Sequence, residues 1–272
     1  MRLLLPLVAA LAVLLVACGG GDDENGDNEP APAATTSAAG EPQATAAPAS
    51  ATAAAPTSAA TVEDRPEVEA LLKAAALRLE DLPSGYTLDD ETFSTNEESA
   101  EDESDSPGAA TLEDMNRFGR ILGYEASYSQ ETSPSTLLEG GTLFLQVTTT
   151  VYRDSAGARD AFEFTRQRTS DPEFAKAFEA SVTGSAGEVR DASISPMSLA
   201  EVGDDRIAFE MKFTMHNPDL NTDFHYVVQL VGIRRGRGVG AISVFAVTSP
   251  SPVGELEDLA RTLDKRLKDA LE

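Results

Sequence analysis

The sequence predicts an α+β fold: a mainly antiparallel β-sheet covered by helices, preceded by a signal peptide over residues 1–17 and a disordered tether over residues 18–65. Three observations predict it. Ile207, Phe209, Met211, Phe213 and Met215 alternate with Ala208, Glu210, Lys212, Thr214 and His216, the period-two pattern of a strand with one apolar face. Leu256, Leu259, Leu263, Leu267 and Leu271 recur at spacings of three and four, which places them on one stripe of a helix. From Pro30 to Val62, every residue except Glu41, Gln43 and Val62 is Ala, Pro, Thr, Ser or Gly, too little apolar side chain to offset the entropy of ordering.

The first element is the N-terminal run. Arg2 supplies one cation, Leu3 to Val16 is apolar, and small residues follow, the order of a bacterial secretory signal. The chain's single cysteine, Cys18, stands directly after Leu15, Val16 and Ala17. An uncleaved anchor fits poorly, because the run is shorter than the ~20 residues a bilayer span needs. An ordinary signal peptide cleaved elsewhere leaves the position of Cys18 unexplained, as well as a free thiol on an exported chain. Leu15-Val16-Ala17-Cys18 resembles the lipobox of bacterial lipoproteins. That resemblance implies a diacylglyceryl thioether on Cys18, with palmitate-type acyl chains, cleavage before it, and attachment to the extracytoplasmic face of the cell membrane.

After Cys18 come Gly19, Gly20 and Gly21, then Asp22, Asp23, Glu24, Asp27 and Glu29, and then the Ala/Pro/Thr/Ser tether. As a flexible coil, residues 19–64 would span roughly 35–40 Å. The tether is read as a bare spacer, with O-glycosylation as the alternative. The whole chain has a formal net charge of -25. Residues 111–272 hold 25 acids and 17 bases, which accounts for -8 and leaves -17 in the first 110 residues. Such a charge repels phosphate backbones, so nucleic acid is excluded as a partner, and membrane association must come from the acyl chains. Trp is absent, which argues against an aromatic platform for carbohydrate.

The folded region is expected over 66–272. Val68, Leu71, Leu72, Ala75 and Leu79 share one helical face, and that helix should end near Pro83, with Gly85 taking a left-handed turn. A short strand follows over Tyr86 to Phe93. Residues 94–110 form an acidic loop, expected to be disordered, with Glu97, Glu98, Glu101, Asp102, Glu103 and Asp105 and no base. The run lacks the ligand order of an EF-hand, so it is read as a solvated loop. Thr111 and Asp114 form a capping pattern for a short helix carrying Leu112, Met115 and Phe118.

Strands are then expected at Gly123 to Gln130, Leu143 to Tyr152, Glu188 to Pro196, Ile207 to His216, Tyr226 to Ile233 and Val239 to Val247. The last two are apolar on both faces, as a central pair would be. Arg234-Arg235-Gly236-Arg237-Gly238 joins them as a hairpin connection. Ala156 to Val182 reads as helix broken near Asp171-Pro172, with a second short helix carrying Phe174 and Phe178. At this length one core can form without disulfides.

Asp81-Leu82-Pro83-Ser84-Gly85-Tyr86 resembles the entry turn of many bacterial surface lipoproteins. Tyr152 to Arg159, then Val202-Gly203-Asp204-Asp205, an apolar hairpin and a final helix are similar in order to PsbP/Mog1-like and kinase-sensor-like extracytoplasmic domains. This resemblance implies a binding or sensing module built on a curved antiparallel sheet, over roughly Pro66 to Glu272.

Catalytic patterns are thin. The chain has two histidines, His216 and His225, neither in a nucleophile motif, and no Gly-x-Ser-x-Gly elbow. His216 reads as an exposed strand-end residue and His225 as one that packs or hydrogen-bonds. No metal site is read, and no cofactor. The glycines at Gly236, Gly238 and Gly240 precede a strand, so no helix N-terminus is available for a phosphate. Arg234, Arg235 and Arg237 form the one basic cluster, which would contact an anionic lipid, cell-wall polymer or acidic envelope protein if it is not simply a charged hairpin tip. The expectation is therefore a non-enzymatic, lipid-anchored binding or sensing module. Two alternatives stand beside it: a carrier of a small molecule or lipid in an apolar cavity, and an envelope hydrolase using a carboxylate pair of raised pKa.

Overall fold

The computed structural model describes residues 64–102, 109–130, 141–171, 173–174, 176–177, 189–217, 222–247 and 253–272. The signal peptide, Cys18, the tether and residues 103–108 lie outside the described residues. In chain order the elements are α1 (Arg65–Ala75), a 3-10 turn (Leu79–Asp81), β1 (Tyr86–Ser94), α2 (Asn96–Asp102), α3 (Leu112–Phe118), β2 (Arg120–Gln130), β3 (Gly141–Tyr152), α4 (Ser155–Thr169), β4 (Val189–Pro196), β5 (Asp205–Asn217), β6 (Thr222–Arg235), β7 (Gly238–Val247) and α5 (Val253–Leu271).

The expected α+β fold is what forms. Seven strands make one antiparallel sheet in the order β1-β2-β3-β7-β6-β5-β4. It consists of two meanders, β1-β2-β3 and β4-β5-β6-β7, joined where β3 pairs with β7, with Val147 opposite Ile242 and Thr149 opposite Gly240. The strands that read as apolar on both faces are central: every residue of β7 is buried.

One face of the sheet carries α1 and α5. Val68 and Leu72 of α1, and Leu256, Leu259, Leu263 and Leu267 of α5, pack on Leu145, Val147, Val231, Ile233, Ile242 and Val244. Glycine permits the close approach of α5: a Cβ at Gly240 would stand 3.0 Å from Leu267 Cδ1 and 3.1 Å from Leu263 Cδ2. The opposite face is covered in part by α4, whose Ala158, Ala161 and Phe162 meet Tyr152 and Val239. Asp154 starts α4 by accepting the Gly157 N–H at 2.8 Å. Elsewhere this face is aromatic, with Phe209, Phe213, Phe224, Tyr226 and Phe245 in one cluster. Phe174 is buried in that cluster, whereas Phe178 lies outside the described residues.

Both sheet edges resist pairing with another strand. Exposed β1 presents Asp89, Asp90 and Glu91 and a register break between Leu88 and Asp90. β4 has a register break between Arg190 and Ser193, with Asp191 at φ 57°, and ends on Pro196. Charge, bulges and proline are the means by which sheet edges avoid association.

Two expectations are corrected. The first helix ends at Ala75, well before Pro83: Ala76 is extended (ψ 157°), which turns the buried pair Ala76 and Leu77 into the core. Leu79, placed by its spacing on the buried face, lies in the 3-10 turn and is 46% exposed. The acidic run is not a loop throughout, because Asn96–Asp102 is α2. Thr95 and Glu98 cap it reciprocally: the Thr95 N–H donates to Glu98 Oε2 at 2.8 Å, and the Glu98 N–H to Thr95 Oγ1 at 3.2 Å.

A buried arginine fixes α2 to the sheet. Arg120 Nη1 donates to Asn96 Oδ1 (2.9 Å), and Nη2 to Ser99 Oγ (2.9 Å) and Ser94 Oγ (3.0 Å). Asn96 Nδ2 donates in turn to Asn116 Oδ1 of α3 at 2.9 Å. Gly123 makes room for this guanidinium, since a Cβ there would collide with Arg120 Nη2.

Candidate functional site

A groove of about 430 Å³ lies between α1 with its following turn and α5, lined by Arg78, Asp81, Thr262, Lys265, Arg266 and Asp269 over Ala74 and Ala270. The helix periods explain it. Once Leu256, Leu259, Leu263 and Leu267 face the sheet, Thr262, Lys265, Arg266, Asp269 and Ala270 form the adjacent stripe, turned toward α1. Ala74 and Ala270 are small, so the wall is hollow where larger residues would fill it. The volume falls within the range of small-ligand sites.

The opposite wall is set by the chain leaving α1. Leu77 is anchored through its carbonyl, which accepts the Tyr128 hydroxyl at 2.9 Å. The next residues therefore cross above the sheet, and the Arg78 N–H donates to Asp81 Oδ2 at 2.8 Å. Arg266 Nη2 donates to Asp81 Oδ1 at 2.9 Å and lies 2.8 Å from Oδ2, tying α5 to the turn. These side chains are only 18% and 13% exposed. Around them the charges are looser. Arg78 Nη1 is 3.7 Å from exposed Glu80, and Lys265 pairs with Asp269 one turn along an exposed helix face.

The basic cluster has a structural use. Gly236 (φ 54°) turns the β6–β7 hairpin, and its N–H donates to Asp204 Oδ2 at 2.8 Å. Arg234 pairs with Asp205 at 2.8 Å and Asp204 at 3.2 Å. Arg235 grips both carboxylate oxygens of Asp264 on α5, at 2.8 and 2.7 Å. Those two guanidiniums are neutralised within their own chain; Arg237 sits at the hairpin tip. Cys18 and the residues before it, Leu15, Val16 and Ala17, lie outside the described residues.

The two histidines lie near the far end of the β5–β6 pairing, where Thr214 stands opposite His225 and His216 opposite Asp223. His216 Nδ1 lies 2.7 Å from Asp223 Oδ1, and that contact holds the Asp223 carboxyl below the usual carboxylate range. His225 Nδ1 lies 3.0 Å from Thr214 Oγ1. Among the described residues no three His, Cys, Asp or Glu side chains are grouped to hold a metal. On β2 the Glu125 carboxyl is held above its ordinary value, through burial first, with Asp90 and Asp102 adding to it and a Gln146 hydrogen bond opposing it. In the aromatic cluster, Tyr226 stacks with Phe213 (5.4 Å between centroids) and Phe245 (5.2 Å).

The groove residues were not singled out from sequence. In the sequence Asp81 falls in the Asp81–Tyr86 turn pattern and Arg266 carries no signal of its own, because nothing local marks a pair so distant along the chain.

No family model matches the chain, and no curated protein matches it. Among solved structures, it is similar to the extracellular domain of PknH from Mycobacterium tuberculosis, at 10% identity and a TM-score of 0.38, with 74% of this chain and 96% of that chain covered. Among the described residues no helix is long and apolar enough to cross a membrane.

Proposed function

We propose that this chain is a lipid-anchored, extracytoplasmic binding or sensing module of a bacterial cell envelope, non-catalytic, with the α1–α5 groove as its binding face. The observation that carries the location is Cys18 at the boundary after Leu15-Val16-Ala17, at the end of an apolar run too short to span a bilayer. The groove supports the binding half of the proposal: it is concave, of ligand size, and lined by charged groups converging from two elements. Arg234 and Arg235 are a poor alternative binding face, since their charges are already matched by Asp204, Asp205 and Asp264.

The test is intact mass and membrane partitioning of the native chain beside Cys18→Ala. Cleavage before Cys18, added acyl mass and membrane retention, all lost in the variant, are the expected results. Masses that differ by no more than the Cys→Ala exchange itself, without lipid, and identical partitioning would overturn the anchoring proposal.

A further inference from the structure

We infer that the α1–α5 groove takes a small zwitterion of the amino-acid or short-peptide kind, its carboxylate held between Arg78 and Lys265 and its ammonium at Asp269. This rests on the groove being the binding face. The argument starts from charge balance. Arg78, Lys265 and Arg266 are opposed by Glu80, Asp81 and Asp269, so the groove and its lip carry no net charge but hold separated charges of both signs.

The members are not equivalent. Arg266 and Asp81 are largely buried and matched to each other, so they form the fixed part of the site. Arg78, Lys265 and Asp269 are exposed. Their present pairings, a 3.7 Å contact and a surface i,i+4 pair, are of the kind that contributes little and gives way easily. Arg78 stands on one wall and Lys265 on the other, so a carboxylate entering between them gains two charge-assisted hydrogen bonds.

Redirecting Lys265 releases Asp269 on the same helix. A plain anion would leave that carboxylate facing it, whereas an ammonium on the ligand takes the place Lys265 vacated. Like-charge opposition is how a site rejects the wrong ligand. The strongly acidic chain adds a long-range penalty for net anions that a zwitterion does not incur. A further donor is in reserve at the site: Arg266 Nε is buried without a hydrogen-bond partner among the described residues.

The experiment is a heteronuclear NMR titration of the full-length chain with four probes: alanylalanine with free ends, its N-acetyl form, its C-terminal amide, and inorganic phosphate. Free alanylalanine should produce saturable shifts confined to residues 74–81 and 262–270. Each blocked form should bind at least about tenfold more weakly, the loss expected for one charge-assisted contact. Asp269→Asn should weaken the free dipeptide while leaving the acetylated form unchanged, and Arg78→Ala should weaken the free dipeptide while leaving the C-terminal amide form unchanged. If the acetylated form binds as tightly as the free one, or phosphate alone moves these amides, the zwitterion inference falls and the groove stands as an anion-binding face. If no probe moves the groove, both this inference and the groove as binding face are overturned.

Discussion

Arg266 and Asp81, 185 residues apart in sequence, meet through Nη2 and both carboxylate oxygens, and this contact closes α5 onto the turn that follows α1. Both side chains are mostly out of solvent, so deleting either leaves a poorly hydrated charge. Asp81→Asn and Arg266→Gln are each expected to cost about 2 kcal/mol in urea unfolding. The double variant should lose less than the two single losses together, as coupled neighbours do. Additive losses would show that the pair is not coupled. Lys265→Ala, on an exposed pair, should stay within about 0.5 kcal/mol of the parent.

The cap of α2 makes a local prediction. Thr95→Ala removes the acceptor of the Glu98 N–H and should destabilise that helix by about 1 kcal/mol. Hydrogen exchange should accelerate at residues 97–100 and leave β7 unchanged.

The same cap gives a pH dependence. Hydrogen bonds from the Thr95 backbone, then its side chain, hold the Glu98 carboxyl below its ordinary value. A depressed carboxylate contributes stability that is present above the unfolded pKa and is lost as pH falls through the folded one. Protection factors in α2, referenced to the intrinsic rate at each pH, should therefore fall below about pH 4, near the ordinary Glu value, and Glu98→Gln should abolish that dependence.

Gly123→Ala should be costly although the strand would otherwise welcome a side chain. The new methyl meets Arg120 Nη2, which has to leave Ser94 and Ser99. The expected loss is about 2 kcal/mol, in the range for overpacking a filled site. Thermal unfolding should shift down by roughly 4–8 °C for a domain of this size.

Tyr86, Tyr124, Tyr128 and Tyr226 are expected to titrate late. Burial raises the phenols of Tyr86, Tyr124, Tyr128 and Tyr226, with Glu91 adding its negative charge at Tyr124 and Tyr128. Each is raised in the folded state, so the stability these groups contribute is complete below the unfolded value near pH 10 and declines as pH rises beyond it. Ultraviolet titration of the native chain should show these four ionising above the normal range. Unfolding in urea should return them to it.

What was legible in the sequence was periodic. The leucines of α5 and the alternation along β5 each expose one face repeatedly, and burial follows that repetition. Leu79 shows the limit: its spacing continued the pattern of α1, but the chain had already straightened at Ala76. The acidic run shows another. Its charge suggested a solvated loop, while the capping signal, Thr95 three residues before Glu98, was present and outweighed by composition. The groove was illegible for a different reason. Its two walls come from opposite ends of the domain, and each charged residue looks like any exposed helix or turn residue until the sheet brings the walls together.

The seam between β3 and β7 also bears on how the domain is reached in time. Each meander closes with neighbours along the chain, but Val147 finds Ile242 only after α4 and three further strands have been made. Loop closure over such a stretch precedes any reward from the contact, which slows proteins dominated by distant pairings. Substitutions along that seam are therefore expected to slow folding more than those within either meander, which a chevron comparison of Val147→Ala or Ile242→Val with a within-meander variant would check.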